Sequence, residues 1–231
     1  ITDTHLFRDA RAALLKLITQ DSIAKVMDLV IRNETSIDVV LGTGDIAQDA
    51  SKEAYLRFAQ AMQSLKAPFY WIPGNHDRRK VMETLSPWEH AFTNLITLGK
   101  WQIVMLDSSV LGEVHGRLHD RELQHLEKSL KAVQEHPDVE HVLVCLHHNP
   151  VEGSASWMAG IGLHNHDEFL AIIDRYSCVR AVLYGHIHQE LNFKRKGVRY
   201  LCTPSTCIQF KPKVQDFTLD DVNPAYRWLS L

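Results

Sequence analysis

The sequence predicts an α/β fold, and three observations lead to this class. Short apolar runs alternate along the chain with amphipathic stretches at helical spacing. The 231 residues are 45% hydrophobic and 23% charged, which is enough to bury one large core. Five apolar runs end in polar groups, and the carboxyl ends of strands in open α/β sheets meet at one rim. We therefore expect residues 1–231 to form a single domain.

Composition excludes several classes of partner. A net charge of −3 and a pI near 6.5 leave no basic stripe for extended nucleic acid, although bound metal ions would still allow a small anion. No apolar run approaches the ~20 residues of a membrane span, so we expect no membrane partner. The cysteines lie among apolar residues without C-x-x-C spacing, which predicts reduced thiols in a cytoplasmic protein. These cysteines are Cys145, Cys178, Cys202 and Cys207.

The first element is predicted to be the end of a strand over residues 1–5. At the two-residue period of a strand, Asp3 and His5 would point to the same side. Because the chain starts at Ile1 within this pattern, we expect the first strand to begin before it. An Asp-x-His tripeptide is common, so a purely structural role is the alternative for these two residues.

Helices and hairpins follow from periodicity and turn residues. Helices are predicted after an Asp21-Ser22 cap, after Ser51, over 78–85 up to a break at Ser86-Pro87, around 123–133, and over 167–176. Hairpins are predicted for 95–98 with 101–106 and for 191–193 with 198–201. Asp107 is interpreted as a turn or cap carboxylate, and His119, His125 and His136 as solvated side chains.

Two turns in the first half of the chain carry candidate site residues. The short strand over 38–41 leads into Gly42-Thr43-Gly44 and then Asp45. The strand ending at Ile72 leads through Pro73-Gly74 to Asn75, His76 and Asp77, where glycine permits a tight turn close to a ligand. Asn and Asp also favour turns by bonding nearby backbone, so a structural turn is the alternative.

Two later strands end in histidines. The run over 141–146 delivers His147 and His148, and the run over 179–184 ends before His186 and His188, which extended geometry would project to one side. Residues 151–163 form a glycine-containing loop with Trp157, and this loop either folds over a site or is a plain surface loop.

The strand ends together predict a metal site. Carboxylates and imidazoles without a nearby thiolate suit Mn, Fe, Zn or similar divalent ions better than a structural zinc. One carboxylate such as Asp45 can bridge two ions ~3.5–4 Å apart, the arrangement used for phosphoester hydrolysis. The candidate ligands are Asp3, His5, Asp45, Asn75, His147, His186 and His188.

These motifs resemble the signature of the calcineurin-like metallophosphoesterases, in the usual order and over nearly the whole chain. The signature comprises Asp3-x-His5, Gly44-Asp45, Gly74-Asn75-His76-Asp77, His147 and Gly185-His186-Ile187-His188. A narrower resemblance is to the bacterial class III 3′,5′-cyclic AMP phosphodiesterases. It rests on residues 1–7, 43–49 and 185–191 and on the segment 203–212, Thr-Pro-Ser-Thr-Cys-Ile-Gln-Phe-Lys-Pro.

The resemblance implies a fold and a ligand set. The fold is a four-layer α/β/β/α sandwich of two mixed β-sheets. One metal is held by Asp3, His5, Asp45 and His188, and a second by Asp45, Asn75, His147 and His186. The implied cofactors are two divalent ions, with Fe and Mn favoured over Zn, Co or Mg.

The resemblance also implies catalytic roles. His76 and Asn75 would contact the substrate phosphate, His76 would protonate the leaving oxygen, and Asp77 would orient His76. His148 matches no ligand, and Asn149 stands where relatives often have a further His or Pro, which leaves the role of His148 open.

The implied reaction is hydrolysis of 3′,5′-cyclic AMP to 5′-AMP. The two ions would lower the pKa of a shared water, and the bridging hydroxide would attack phosphorus in line. Trp157 or Phe210 would stack on the base only if their loops fold inward, and loop packing is the alternative. A broader phosphodiesterase or phosphatase is the second hypothesis, and a non-catalytic scaffold is the third. The sequence leaves open whether the chain forms a homodimer.

Overall fold

The computed structural model describes residues 1–85, 87–135 and 138–231. The helix break predicted at Ser86 and the solvated side chain predicted for His136 lie outside the described residues. The helices are α1 Thr19–Asn33, α2 Lys52–Ser64, α3 Arg79–Met82, α4 Asp120–Glu135 and α5 His166–Ile173, with 3₁₀ turns at Glu89–Phe92 and Ser156–Met158. In these described parts of the chain, no helix is both long and apolar enough to cross a membrane.

The strands form one large sheet and three strand pairs. In chain order they are β1 Ala13–Leu14, β2 Leu17–Ile18, β3 Val40–Thr43, β4 Phe69–Ile72, β5 Leu95–Leu98, β6 Trp101–Met105, β7 His141–Cys145, β8 Val179–Tyr184, β9 Leu191–Arg195, β10 Val198–Cys202, β11 Gln209–Phe210 and β12 Leu219–Asp220. The six-stranded sheet has the order β5-β6-β7-β8-β10-β9. Its inner strands are parallel and both edge strands are antiparallel, so both predicted hairpins are confirmed.

Three apolar clusters define four layers. Helices α4 and α5 pack on one face of the large sheet, and α1 and α2 pack on the parallel pair of β3 and β4. Between the two sheets lies a third cluster that includes Ile72, Ile103, Leu143 and Leu183. The predicted α/β/β/α order is thus confirmed. The smaller sheet differs from the prediction, since its described strands are parallel rather than mixed.

The first helix begins earlier than predicted. It starts at Thr19 with Ile18 at the N-cap position, and no side chain caps it. The Ser22 hydroxyl instead donates a hydrogen bond to the Thr206 carbonyl at 2.7 Å, so this predicted cap residue serves a tertiary contact. Helix α2 begins directly after Ser51 as predicted, and its apolar stripe, including Phe58, is buried.

Neighbouring parallel strands have their carboxyl ends in register. Thr43 pairs with Ile72 at the end of β3 and β4, and Cys145 pairs with Leu183 near the end of β7 and β8. The polar segments that follow these four strands therefore meet at one rim, as expected for parallel strands. A cavity of about 760 Å³ lies near the opposite strand ends, where Val40, His141 and the C-terminal Leu231 line it.

Candidate metal centre

Five of the seven predicted ligands have left-handed backbone conformation rather than extended strand conformation. Their φ angles are 52° at Asp3, 45° at His5, 49° at Asp45, 72° at His186 and 47° at His188. The extended geometry predicted for residues 1–5 and 186–188 is therefore wrong. Non-glycine residues adopt this conformation rarely, at a cost of about 1–2 kcal/mol each. Residues in this conformation occur preferentially at functional sites, where the surrounding structure holds them in place.

Backbone hydrogen bonds hold the first two turns together. The N–H of Asp3 donates to the Gly44 carbonyl at 3.0 Å, and the N–H of His5 donates to the Asp45 carbonyl at 3.0 Å. Gly74 packs against the same turn, because a Cβ there would lie 2.2 Å from Oδ1 of Asp45. Only glycine permits this approach. Segments 40 residues apart in sequence thus bring three predicted ligands to one place.

The first group of ligand atoms is compact. Nε2 of His5 lies 3.1 Å from Nε2 of His188 and 3.7 Å from Oδ2 of Asp45. Oδ1 of Asp3 lies 3.3 Å from Nε2 of His188 and 4.0 Å from Nε2 of His5. Ligand atoms about 2.0–2.2 Å from a shared ion have separations of this size. All four side chains are buried.

The second group shares Asp45 with the first. Nε2 of His147 lies 3.3 Å from Oδ2 of Asp45 and 3.3 Å from Oδ1 of Asn75. The His186 ring centroid is 5.1 Å from that of His147. Oδ1 of Asp45 accepts the backbone N–H of His76 at 2.9 Å, so Oδ2 remains to face both groups. This is the arrangement that a bridging carboxylate requires.

Each of the four imidazoles contacts an oxygen acceptor through one ring nitrogen. The acceptors are the carbonyls of Thr43, Ile208 and Ile161 and the Oε1 atom of Gln48. The pairs are His147 Nδ1 with Thr43 at 2.8 Å, His188 Nδ1 with Ile208 at 2.8 Å, His186 Nε2 with Ile161 at 2.9 Å, and His5 Nδ1 with Gln48 at 2.7 Å. An acceptor fixes the proton on the nitrogen that faces it, so the other nitrogen presents a lone pair.

The orientation of these imidazoles is suited to binding cations. Nδ1 of His5 and of His188 faces an acceptor, so in the neutral tautomers their Nε2 lone pairs oppose each other at 3.1 Å. Burial lowers the pKa of His5 to about 4 and that of His186 to about 3, which keeps both rings neutral. Opposed lone pairs beside two carboxylates repel unless positive charge lies between them. The residues present therefore fit divalent metal ions.

Asp45 and His147 strongly shift each other's pKa. Burial raises the pKa of the Asp45 carboxyl, but His147 and His5 outweigh it and hold that pKa well below its ordinary value. Burial lowers the pKa of His147, but the Asp45 carboxylate outweighs it and raises that pKa to about 9. Both shifts favour a charged pair, in which Nε2 of His147 carries a proton instead of the lone pair of the neutral ring. Metal binding must displace this proton, as is usual for histidine ligands.

The contact predicted between Asp77 and His76 is not present. The Asp77 carboxylate accepts the backbone N–H groups of Gly74, Ile46 and Ala47 at 2.9–3.1 Å, and the described hydrogen bonds include none from it to the His76 ring. Burial and then the Asp45 charge raise the pKa of Asp77 to about 7. Asp77 joins the two ligand-bearing turns, and the side chain in hydrogen-bond contact with the His76 ring is that of Gln48.

His148 is a structural neighbour of the ligands. Its Nδ1 lies 2.8 Å from the Ser108 hydroxyl and its Nε2 lies 3.2 Å from the Val114 carbonyl, so both ring nitrogens are occupied. Burial lowers its pKa well below the ordinary value. It therefore holds residues 108–116 against the site. Asp107 accepts the N–H of Ser109 at 2.9 Å, which confirms the predicted turn carboxylate.

A thiol group, though not a thiolate, lies close to the predicted ligands. The sulfur of Cys207 lies within 4.8 Å of ligand nitrogens of His5 and His188. Burial raises the pKa of Cys207 to about 12, so the side chain is a neutral thiol. No pattern in the sequence indicates this contact, because Cys207 follows a different strand from either histidine. The four cysteines, all within the described residues, are free.

The aromatic residues of the two later loops do fold inward. The Phe210 ring stacks on the His188 ring at 4.3 Å, and the Trp157 ring meets Phe210 edge to face at 5.2 Å. Phe217 contacts both rings, at 5.3 and 5.2 Å, and is 51% exposed. We call Trp157, Phe210 and Phe217 the aromatic cluster. It borders the metal centre beside His188.

Two ligand groups joined by one carboxylate, at the rim of a four-layer sandwich, define a binuclear metal-dependent hydrolase. The chain belongs to the calcineurin-like phosphoesterase family, whose model matches residues 1–190. It is 40% identical over 231 residues to the 3′,5′-cyclic adenosine monophosphate phosphodiesterase CpdA of Pseudomonas aeruginosa, covering 100% of this chain and 84% of the relative. It is 35% identical over 232 residues to a 3′,5′-cyclic-nucleotide phosphodiesterase of Nostoc, covering 100% and 86%.

A solved structure supports the fold. The dimetal phosphatase of Danio rerio superimposes with a TM-score of 0.71 at 15% sequence identity, over 94% of this chain and 89% of that one. At this identity the likeness concerns the fold alone. Together with the family match it confirms the predicted architecture and the predicted family.

Removing metal should stop catalysis and lower the melting temperature without unfolding the protein at room temperature. Ions that bind only the folded state stabilise it by mass action. Most of the ligand-bearing turns follow strands that are buried in three apolar clusters, and none of the predicted metal ligands belongs to these clusters. The fold therefore does not depend on metal as the fold of a zinc finger does. Far-ultraviolet circular dichroism and a melting curve, with and without a chelator, measure both effects. Loss of the circular dichroism signal at room temperature would contradict this expectation.

Proposed function

We propose that this protein hydrolyses 3′,5′-cyclic AMP to 5′-AMP at the binuclear centre. The observation that carries the proposal is the position of Asp45, whose Oδ2 faces His5 on one side and His147 on the other. The names of the curated relatives, which share 35–40% identity over the full chain, support a cyclic nucleotide as the substrate.

The reaction needs charge and a proton donor. Asp3, His5, Asp45 and His188 would hold one divalent ion, and Asp45, Asn75, His147 and His186 the other. When bound, such ions polarise the phosphate and activate water for in-line attack. Asn75 and His76 lie on one turn, where they would contact the phosphate. The 3′ oxygen is a poor leaving anion, so His76 would protonate it as the P–O bond breaks.

The donor set also bears on the metal and on the compartment. Imidazoles mixed with carboxylate and amide oxygens support Fe and Mn as the ions, with Zn, Co or Mg as alternatives. Four free thiols support a reducing compartment, so we propose the cytoplasm. Metal analysis of protein purified from its native host tests the first proposal, and cell fractionation tests the second.

The aromatic cluster would bind the adenine base. Phe217 is half exposed beside Phe210, which stacks on His188, so its ring offers a free face next to the centre. Stacking of a base on an aromatic ring contributes about 1–3 kcal/mol. Phe217→Ala should therefore raise the KM for cyclic AMP by about 5–150-fold and leave the inhibition constant of inorganic phosphate, which has no ring to stack, unchanged. The matched control is Phe193→Ala, since Phe193 is exposed on edge strand β9 and stacks on Tyr200. Equal changes in the two constants would exclude a base site here.

Steady-state kinetics with saturating Mn²⁺ test the function. The substrates are cyclic AMP, cyclic GMP, 2′,3′-cyclic nucleotides and aryl phosphates. We expect the highest kcat/KM for cyclic AMP, with 5′-AMP as product. A higher kcat/KM for a 2′,3′-cyclic nucleotide or for a phosphomonoester would replace the proposal with a broader phosphoesterase activity.

A further inference from the structure

Gln48 lies between the ring of a predicted metal ligand and the ring of the predicted general acid. Its Oε1 is 2.7 Å from Nδ1 of His5, and its Nε2 is 3.2 Å from Nδ1 of His76. The two rings meet edge to face, with centroids 5.0 Å apart. The backbone N–H of Gln48 donates to the Leu6 carbonyl at 2.8 Å, which fixes where this side chain starts.

The two contacts determine which way the amide points. Gln48 has one acceptor end and one donor end. His5 must carry its proton on Nδ1 if its Nε2 is to bind a cation, so the Gln48 oxygen has to face His5. The NH₂ group then faces His76. The opposite orientation would place the His5 proton on Nε2, among the atoms of Asp3, Asp45 and His188.

The donor end fixes the tautomer of His76. An amide N–H that points at Nδ1 requires a lone pair on that nitrogen, so the neutral ring carries its proton on Nε2. Asp77 does not perform this task, because backbone N–H groups occupy its carboxylate.

We infer that Gln48 is a positioning residue that holds His76 as the Nε2–H tautomer, with the proton directed to the leaving oxygen. The same side chain holds the lone pair of His5 toward the metal centre. One neutral amide thus couples metal ligation to the proton donor. This inference rests on the proposed function for the identity of the leaving group, but not for the tautomer.

Nuclear magnetic resonance of the metal-loaded protein tests the tautomer directly. Zinc is used because it is diamagnetic, and long-range ¹H–¹⁵N correlation at a pH where the ring is neutral reports which nitrogen of His76 is protonated. We expect Nε2–H in the wild type and in the control Gln63→Glu, which changes an exposed glutamine on α2. Gln48→Leu should give a mixture of both tautomers. A proton on Nδ1 of His76 in the wild-type protein would overturn the inference.

Kinetics test whether the tautomer matters for catalysis. Gln48→Leu removes the donor to His76 without placing a charge beside the ring, so cyclic AMP turnover should fall by about 10–100-fold. Turnover of bis(p-nitrophenyl) phosphate should fall much less, since its leaving group needs little protonation, and metal analysis reports any loss that comes from the His5 contact instead. Normal cyclic AMP turnover in Gln48→Leu would overturn the inference. Failure of the wild type to hydrolyse cyclic AMP would instead overturn the proposed function, and the tautomer measurement would be unaffected.

Discussion

Replacing Asp45 by asparagine should nearly abolish activity and loosen both metal ions. Oδ2 of Asp45 lies 3.7 Å from the His5 ligand nitrogen and 3.3 Å from that of His147, so one carboxylate supplies charge to both positions. An amide keeps the shape but removes that charge. The loss of activity should exceed the roughly 10–100-fold that follows removal of a group outside the ligand set. Metal analysis after dialysis and steady-state kinetics on cyclic AMP measure the two effects.

Two further variants serve as the comparison and the control for Asp45→Asn. His188→Ala removes a ligand nitrogen 3.1 Å from that of His5, so it should weaken chiefly one ion. Asp167→Asn makes the same chemical change at a side chain that is 95% exposed, and it should alter neither metal content nor turnover. An Asp45→Asn protein that retained two ions with normal turnover would show that Asp45 does not bridge.

Much of the site was predictable because the signals are local. Four apolar runs become strands β3, β4, β7 and β8, and parallel strands in register deliver their following residues to one rim. The order of apolar and polar residues along the chain encodes this directly. The predicted ligands therefore come together although they are spread over 186 positions, from Asp3 to His188.

The backbone conformation of the ligand turns was not predictable in the same way. Alternating polar residues in Asp3-Thr4-His5 fit a strand as well as they fit left-handed turns. The left-handed form is selected by long-range contacts, such as the Thr4 hydroxyl bond to the Ile46 carbonyl at 2.6 Å. Binding energy from two ions would help to offset the cost of five such residues.

The partner of His76 was missed for a related reason. Asp77 is adjacent in sequence, and a carboxylate next to a catalytic histidine is the simpler hypothesis. Adjacent residues on a tight turn point different ways, and Asp77 turns toward the N–H groups of Ile46 and Ala47. Gln48 comes from another strand end, three residues after Asp45. Only the packing of the two turns brings its amide to the ring.

Replacing His76 by alanine should slow cyclic AMP hydrolysis by about 10²–10⁴-fold, the usual contribution of general acid catalysis. Turnover of bis(p-nitrophenyl) phosphate should fall much less, because p-nitrophenolate leaves without a proton. The ring of His76 contacts Gln48 and the edge of His5, and one of its nitrogens lies within 4.8 Å of ligand atoms of His5 and Asp45. Because His76 belongs to neither predicted ligand group, metal content should stay near normal. The measurement is the ratio of kcat on the two esters, wild type against variant, at saturating Mn²⁺.

The control for His76→Ala is His119→Ala, which removes an exposed imidazole that is not among the predicted site residues and should leave both rates unchanged. If His76 served mainly to bind phosphate, both esters would lose turnover or affinity alike, since each presents the same phosphodiester group. If it held a metal, metal content would fall with activity. Equal losses on the two esters would therefore remove the proton-donor role from His76. They would also remove proton transfer as the purpose of the Gln48 contact, because the Nε2–H group would then serve only as a hydrogen-bond donor to the phosphate.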